Sequence, residues 1–294
     1  MGSHRTISDR MVLRVAELEL SLDASGSGIR FNAPVCHTQF VAGDAKRDGL
    51  RLTIRDEKPS GTGDWRSLFY DAETWQLWLD GAGRYVFVPP KRSPPYRQIA
   101  VEAAFRTGEV VGEFAAGAPD GRAVYPLQGI DMALYANWLA CYGDMILHAA
   151  GVAVDGQGYC FVGASGAGKS TLTTILVATA AVTVLGEDQV ILRRINDQFW
   201  IYGTPWHENT DRCSPGGAPL EKLFFLNRTI GNGVEACGRI EGITRLLQTA
   251  FVPYYRPDAV DKILDNLGRL AEQVPFYTLG YQLGADVIRL IREA

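Results

Sequence analysis

GYCFVGASGAGKSTLTTIL, residues 158–176, is the stretch whose reading decides the fold. Within it Gly163-Ala164-Ser165-Gly166-Ala167-Gly168-Lys169-Ser170 fits GxxxxGK[ST], the phosphate-binding loop, and Thr171 carries the loop into the next element. The flanks agree. Residues 159–162 form a short apolar run suited to a buried strand, and residues 171–181 form an apolar run compatible with a helix. Glycines let the loop's amides converge on a phosphate, helped by the positive end of the following helix. In that geometry Lys169 reaches the β- and γ-phosphates and the Ser170 hydroxyl holds Mg²⁺. A bare pattern of this kind also arises by chance, and a glycine-rich turn can serve packing alone. Strand and helix in the right places favour a nucleoside triphosphate with Mg²⁺, and the question left open is what receives the phosphoryl group.

Working outward, residues 147–154 read as a strand carrying His148, and Asp155-Gly156-Gln157-Gly158 as the hairpin turn into the loop strand. A histidine in an apolar run is often a satisfied core residue. If the two strands are antiparallel neighbours, His148 instead comes close to the loop, where it can place an attacking hydroxyl or tune a carboxylate. Downstream, residues 182–185 read as a strand ending at Gly186-Glu187-Asp188. Carboxylates at a strand's C-terminal end can reach Mg²⁺ and phosphates, so Ser170 with Glu187 or Asp188 is a normal metal set. The alternative is that both acids end a strand on a solvated surface. Arg212, in a polar glycine-containing loop over residues 209–219, is the candidate clamp for the acceptor or the γ-phosphate, with Arg193, Arg194 and Arg245 as rivals. His207 and Glu208 lie on the turn GTPWHE, residues 203–208, as site groups or as solvated ones.

The rest of the chain supplies architecture. In MVLRVAELELSL, residues 11–22, Ala16, Leu18, Leu20 and Leu22 are expected to face inward and Glu17, Glu19 and Ser21 outward. Short strands are also expected near 29–31, 50–55, 65–70, 74–79 and 85–88, with Asp80-Gly81 and Gly83 marking a hairpin. Residues 98–105 have no clear period. Phe69, Trp75, Trp78, Tyr85 and Phe87 form either a recognition surface or one packed face of a small sheet. Helices are expected over 126–140, 240–251 and 258–274, the last with Asp258 as cap, and after Asp286; one more strand is expected around 276–283. The linker-like AAGAPDGRAVYP places a soft boundary within 115–128, dividing the chain into residues 1–120 and 121–294.

Composition bounds the function classes. The 294 residues, 47% of them hydrophobic, suffice for one large or two modest cores. A net charge of -4 argues against a general nucleic-acid surface. The five cysteines are scattered without CxxC or zinc spacing, which reads as a reduced, cytoplasmic protein. The start MGSHRTISDR lacks an apolar signal core, and there are nowhere eighteen consecutive apolar residues, so no membrane association is expected.

These separated segments together resemble one family. LHAAGV at 147–152, GASGAGKS at 163–170, Glu187-Asp188 at a strand end, GTPWHE at 203–208 and PLEKLFFL at 219–226 look like the HPr serine kinase/phosphorylase family. They look most like its short HPr-kinase-like relatives from peptide-biosynthesis gene clusters. The resemblance runs from about residue 125 to 290 and is weak before 110. It implies an α/β fold with a phosphoenolpyruvate-carboxykinase-like P-loop kinase domain; the strand pattern before it reads as a smaller, mostly β N-terminal domain, a candidate for acceptor recognition. It also implies transfer from ATP to a serine-type hydroxyl on a peptide or small protein, and family members can form homo-oligomers. Family members carry paired aspartates, the first a base toward the acceptor. That role falls on Glu187, with Asp188 on the metal side and His148 in the place of the family histidine. A match to the segment used for dephosphorylation is missing, so phosphorylase activity is not carried over. A small-metabolite kinase and a nucleotide-dependent regulatory protein without transfer are the other readings.

Overall fold

Two-residue turns and alternating strands build the first of two units, Met1–Trp138 and Leu139–Ala294, into which the computed structural model divides. It describes residues 8–45, 48–59, 61, 63–71, 73–90, 97–114, 123–207, 212–282 and 286–294. In the first unit β1 (Arg10–Val15) and β2 (Leu18–Asp23) form a hairpin through Ala16 and Glu17, both at positive φ (49° and 67°). The strands that follow are β3 (Val41–Ala42), β4 (Leu50–Asp56), β5 (Arg66–Tyr70), β6 (Gln76–Leu79), β7 (Tyr85–Val88), β8 (Arg97–Val101) and β9 (Thr107–Gly112). They make one sheet in the order β3-β1-β2-β4-β9-β8-β7-β6-β5. Among the described residues of this sheet, the pairs β2–β4 and β4–β9 run parallel and the others antiparallel.

Leu18, Leu20 and Leu22 face inward as expected, but Glu19 is buried too, at 1% exposure, because Arg14 across the hairpin binds its carboxylate. Residues 29–31 do not form a strand; Phe31 makes isolated bridges to Ser8 and Val124. The ambiguous run after residue 97 is a buried strand, and its partner β9 was not anticipated. Asp80 builds the β6–β7 turn by accepting from the amides of Ala82 and Arg84. The aromatic pattern is largely a packed face: Trp75 stacks between Phe69 and Phe87, and both Trp75 and Phe87 are buried. The unit ends inside α1 (Asp131–Ala140), later than the boundary read from composition. The reason is local. Asp131 Oδ2 takes hydrogen bonds from Tyr125 at 3.1 Å and shares 2.6 Å with His37 Nε2, tying the segment to the first unit. The first eight residues of the linker-like stretch, 115–122, lie outside the described residues.

The second unit contains β10 (Met145–Leu147), β11 (Ala149–Val154), β12 (Gln157–Val162), α2 (Lys169–Thr179), β13 (Val182–Gly186), β14 (Val190–Ile195), β15 (Gln198–Tyr202), β16 (Gly217–Leu226), β17 (Gly233–Ala236), α3 (Arg239–Thr249), α4 (Pro257–Gln273), β18 (Phe276–Gly280) and α5 (Val287–Glu293). Its sheet runs β10-β14-β15-β16-β12-β11-β13, with β18 beside β16 and β17 beside β18. β16 is the hub. Its first residues pair antiparallel with β15, and from Leu220 onward it runs parallel to β12 and then to β18. The strand that follows the loop helix, β13, pairs antiparallel with β11 rather than parallel beside β12, so this is a mixed α/β sheet and not a doubly wound one.

Period-2 alternation buries β12 on both faces. Cys160 and Val162 join a core with Ile263, Leu267 and Leu270 of α4 and Leu246 of α3. Tyr159 and Phe161 join a second core with Leu172 and Leu176 of α2 and Val287 and Ile291 of α5. The loop strand therefore lies in the middle layer of a helix–sheet–helix stack. Asp258, expected as a cap, sits instead in the first turn of α4 behind Pro257, and Arg256 precedes the helix without a side-chain cap. Asp286 does cap α5, accepting from Arg289 N.

Lys222 explains an odd lysine within an apolar strand. Its buried Nζ donates to the carbonyls of Ile291 at 3.1 Å and Arg292 at 2.9 Å, satisfying the C-terminal end of α5. Lys222→Met is expected to cost about 1–3 kcal/mol, the worth of hydrogen bonds to a charged donor. Urea unfolding measures the cost, and faster amide exchange confined to residues 287–293 locates it.

Candidate active site at the phosphate loop

Residues 163–168 leave the C-terminal end of β12 and enter α2 at Lys169. What shapes the loop is the fate of its carbonyls. Lys169 Nζ turns back to donate to Gly163 O at 2.7 Å and Ala164 O at 3.3 Å. From the other side Arg228 Nε donates to Ala167 O at 3.3 Å and Tyr281 Oη to Gly168 O at 2.7 Å. With these carbonyls engaged by side-chain donors, the loop amides other than that of Ala167, which donates to Ala164 O, and the positive end of α2 are left for an anion. Gly168 adopts φ +104°, and a Cβ there would stand 2.5 Å from Tyr281 Oη. Gly168→Ala is expected to lower stability by about 1–3 kcal/mol through backbone strain. Tyr281→Phe added to it should restore only part, since the φ remains; urea denaturation of single and double variants checks this.

Three expected site residues converge at the mouth of the loop. Lys169, 6% exposed, lies 3.0 Å from His148 Nε2. An ammonium has no lone pair, so Nε2 accepts and the histidine proton sits on Nδ1. That Nδ1 faces Asp188 Oδ1 at 3.7 Å. Burial pulls the Lys169 ammonium below its ordinary pKa, and the charge of Asp188 opposes the shift. His148 reaches this position because the strand expected over 147–154 is broken there. β10 pairs with β14, β11 pairs with β12, and the amide of His148, between them, donates to Thr249 O at 2.8 Å.

Glu187 lies elsewhere. Its Oε1 accepts from Thr173 Oγ1, one turn along α2 from Ser170, and pairs with Arg212 Nη1 at 3.3 Å. Arg212 Nη2 also donates to Thr174 at 3.3 Å, so the arginine bridges the acidic turn and α2. The structure brings His148 to Asp188 and not to Glu187, whose carboxylate it attaches to the helix bearing Ser170. The rival arginines are engaged away from the loop: Arg193 with Asp144, Arg194 with Asp197, and Arg245 with Glu241. Ser165, Ser170 and Thr171 are exposed along the loop and the first turn of α2.

The turn at 203–207 supports the acidic pair. Thr204, fully buried, donates its single hydroxyl proton to Gln189 O at 2.9 Å, so His207 Nε2, 3.1 Å from Thr204 Oγ1, is the donor in that contact. The His207 ring packs on Gly186, where a Cβ would meet Nε2 at 2.9 Å. Burial lowers the His207 pKa, and the charges of Asp188 and Glu187 push it back up. Glu208 and residues 209–211 lie outside the described residues. The sequence reading missed Thr173, Arg228 and Tyr281. Thr173 was legible in principle, three residues after Ser170 on one helix face, whereas Arg228 and Tyr281 meet the loop only through the pairing of β16 with β12 and β18.

Oxygen donors of this kind suit a hard cation. Among the described residues no group of three or more His, Cys, Asp or Glu converges. Ser170 with one carboxylate matches Mg²⁺, which takes one or two protein oxygens and fills its shell with phosphates and water.

No protein-family profile and no curated protein matches the chain. Among solved structures the chain is similar to the Hpr(Ser) kinase/phosphatase from Coxiella burnetii, at 14% identity and a TM-score of 0.28, over 50% of this chain and 86% of that one.

Proposed function

We propose that this protein is an ATP- and Mg²⁺-dependent kinase of the HPr-kinase-like kind, acting in the cytoplasm on a serine-type hydroxyl of a peptide or small protein. The second unit is then a P-loop domain of the phosphoenolpyruvate-carboxykinase type. The observation that carries the proposal is the line Lys169–His148–Asp188 at the mouth of the loop, an ammonium, an imidazole and a carboxylate in sequence. Mg²⁺·ATP, when bound, supplies the phosphoryl group and neutralises charge on it.

The chain's own residues do the rest. The loop amides bind the phosphate chain, and Lys169 exchanges its contacts with Gly163 and Ala164 for phosphate oxygens. Ser170 and Glu187, which Thr173 holds against α2, would hold the metal. Asp188, with a side chain 66% exposed, takes the proton from the attacking hydroxyl, and His148 orients it. These roles exchange the ones the family resemblance implies, where Glu187 is base and Asp188 is on the metal. Arg212 clamps the acidic turn against α2, closing the metal side.

The test is to incubate the protein with γ-labelled ATP, Mg²⁺ and a panel of serine peptides, small proteins and hydroxyl metabolites, and to map the label by mass spectrometry. Phosphoserine in a peptide or protein is the expected result. Label on a metabolite alone would reassign the acceptor class. ATP bound without label anywhere would make the protein a nucleotide-dependent regulator.

A further inference from the structure

The turn that carries Glu187 and Asp188 follows β13, which stands at the end of its sheet and pairs with β11 alone among the described strands. On its open side the turn is held by Gly203, Thr204, His207 and Ser214. We infer, resting on the kinase reading above, that His207 is a positioning residue for the transfer. Acting through Thr204, it fixes the carbonyl of Gln189, and with it the backbone that brings Asp188 to His148.

Residues 186–189 are gripped at both ends. Before them, Ser214 N donates to Leu185 O at 3.0 Å, and Gly203 passes so close that a Cβ there would run into the carbonyls of Leu185 and Ser214. The His207 ring lies on Gly186 itself, close enough that no side chain fits between them. After them, the Gln189 carbonyl accepts from Thr204 Oγ1 at 2.9 Å, and Thr204 Oγ1 accepts in turn from His207 Nε2 at 3.1 Å. The chain His207–Thr204–Gln189 thus ends one residue beyond Asp188. Burial lowers the His207 pKa against the opposing charges of Asp188 and Glu187, so the ring is neutral and carries one proton. Thr204, whose own proton is committed to Gln189 O, places that proton on Nε2. The two acids depend on this chain unequally. The Glu187 carboxylate is held separately by Thr173 and by Arg212. Asp188 stands 3.7 Å from His148 Nδ1, beyond hydrogen-bond reach, with its side chain mostly exposed, so its place is set by its backbone. Loosening the chain therefore displaces Asp188 and leaves Glu187 on α2.

The experiment measures transfer from γ-labelled Mg²⁺·ATP to a serine peptide that the wild type labels, in variants of the full chain. Thr204→Val, which removes the hydroxyl, and His207→Phe, which keeps a ring without the donor, should each lower kcat about ten- to a hundredfold, what a displacement of about an ångström costs. KM for Mg²⁺·ATP and the Mg²⁺ concentration for half-maximal rate should not change. His207→Gln, whose amide nitrogen can stand where Nε2 stood, should recover most of the loss. The double variant should be no slower than the slower single one, since both break one chain. An unchanged kcat, a Mg²⁺ requirement that rises as kcat falls, or His207→Gln as slow as His207→Phe would overturn the role, the second because it marks loosening of the whole turn. If His207→Phe fails to fold, Thr204→Val and His207→Gln decide on the same criteria. Side-chain ¹⁵N spectra of the wild type, with four histidines in the chain, should show His207 as the neutral Nε2–H tautomer. The Nδ1–H tautomer would overturn the chain whatever the assay gives. No transfer by the wild type to any acceptor would overturn the kinase reading and the role with it, whereas transfer indifferent to both variants overturns the role alone.

Discussion

Asp188→Asn is expected to lower kcat for phosphoryl transfer by about two to four orders of magnitude, the range for loss of a positioned general base. Affinity for Mg²⁺·ATP should stay near that of the wild type. Glu187→Gln should behave differently, because its carboxylate is bound to Thr173 and Arg212 beside the helix that carries Ser170. There the expected result is a higher Mg²⁺ concentration for half-maximal rate. Steady-state assays across a Mg²⁺ titration separate the two. If instead Glu187→Gln abolishes transfer at saturating Mg²⁺ and Asp188→Asn shifts only the Mg²⁺ requirement, the roles are those of the family resemblance, and the contact between His148 and Asp188 is incidental.

The second large effect is on stability. Asp144 accepts from Arg193 Nε at 2.7 Å and from the amide of Arg194 at 3.0 Å, with its side chain fully buried and that of Arg193 10% exposed. Burial pushes the Asp144 carboxyl up from its ordinary pKa, and the Arg193 charge with the Arg194 amide pulls it back. The pair is therefore weak evidence of net stabilisation as a unit. Breaking it is another matter. Asp144→Ala takes this carboxylate from the buried guanidinium and is expected to cost about 3–5 kcal/mol, read by urea unfolding. Replacing both residues with apolar side chains of similar volume should recover most of that loss.

Local signals were legible and partner choice was not. The loop pattern, the apolar run at 159–162 and the turn at Asp155-Gly156, both residues at positive φ, follow from residues near each other in sequence. The mixed sheet does not, because nothing in 182–186 states that β13 will pair antiparallel with β11 instead of lying parallel beside β12. Glu19 was expected outward since a carboxylate is costly to bury, and the arginine across the hairpin offsets that cost. His148 was placed on a continuous strand; the change of partner between β10 and β11 is what brings its ring to Lys169. Of the candidate site, the residues within the motif were readable. The side chains that shape it from outside, Arg228 and Tyr281, lie some sixty and more than a hundred positions away from the carbonyls they hold.

Everything proposed above depends on residues 163–170 holding a triphosphate. Calorimetric titration of Mg²⁺·ATP into the full chain and into Lys169→Met tests this most directly. The wild type should bind at one site with a Kd between about 1 μM and 1 mM, the ordinary range for an enzyme's substrate. Lys169→Met should bind about ten to a hundred times more weakly, the worth of one charged hydrogen-bond donor. No heat of binding to the wild type, or equal affinity in the variant, would contradict the account.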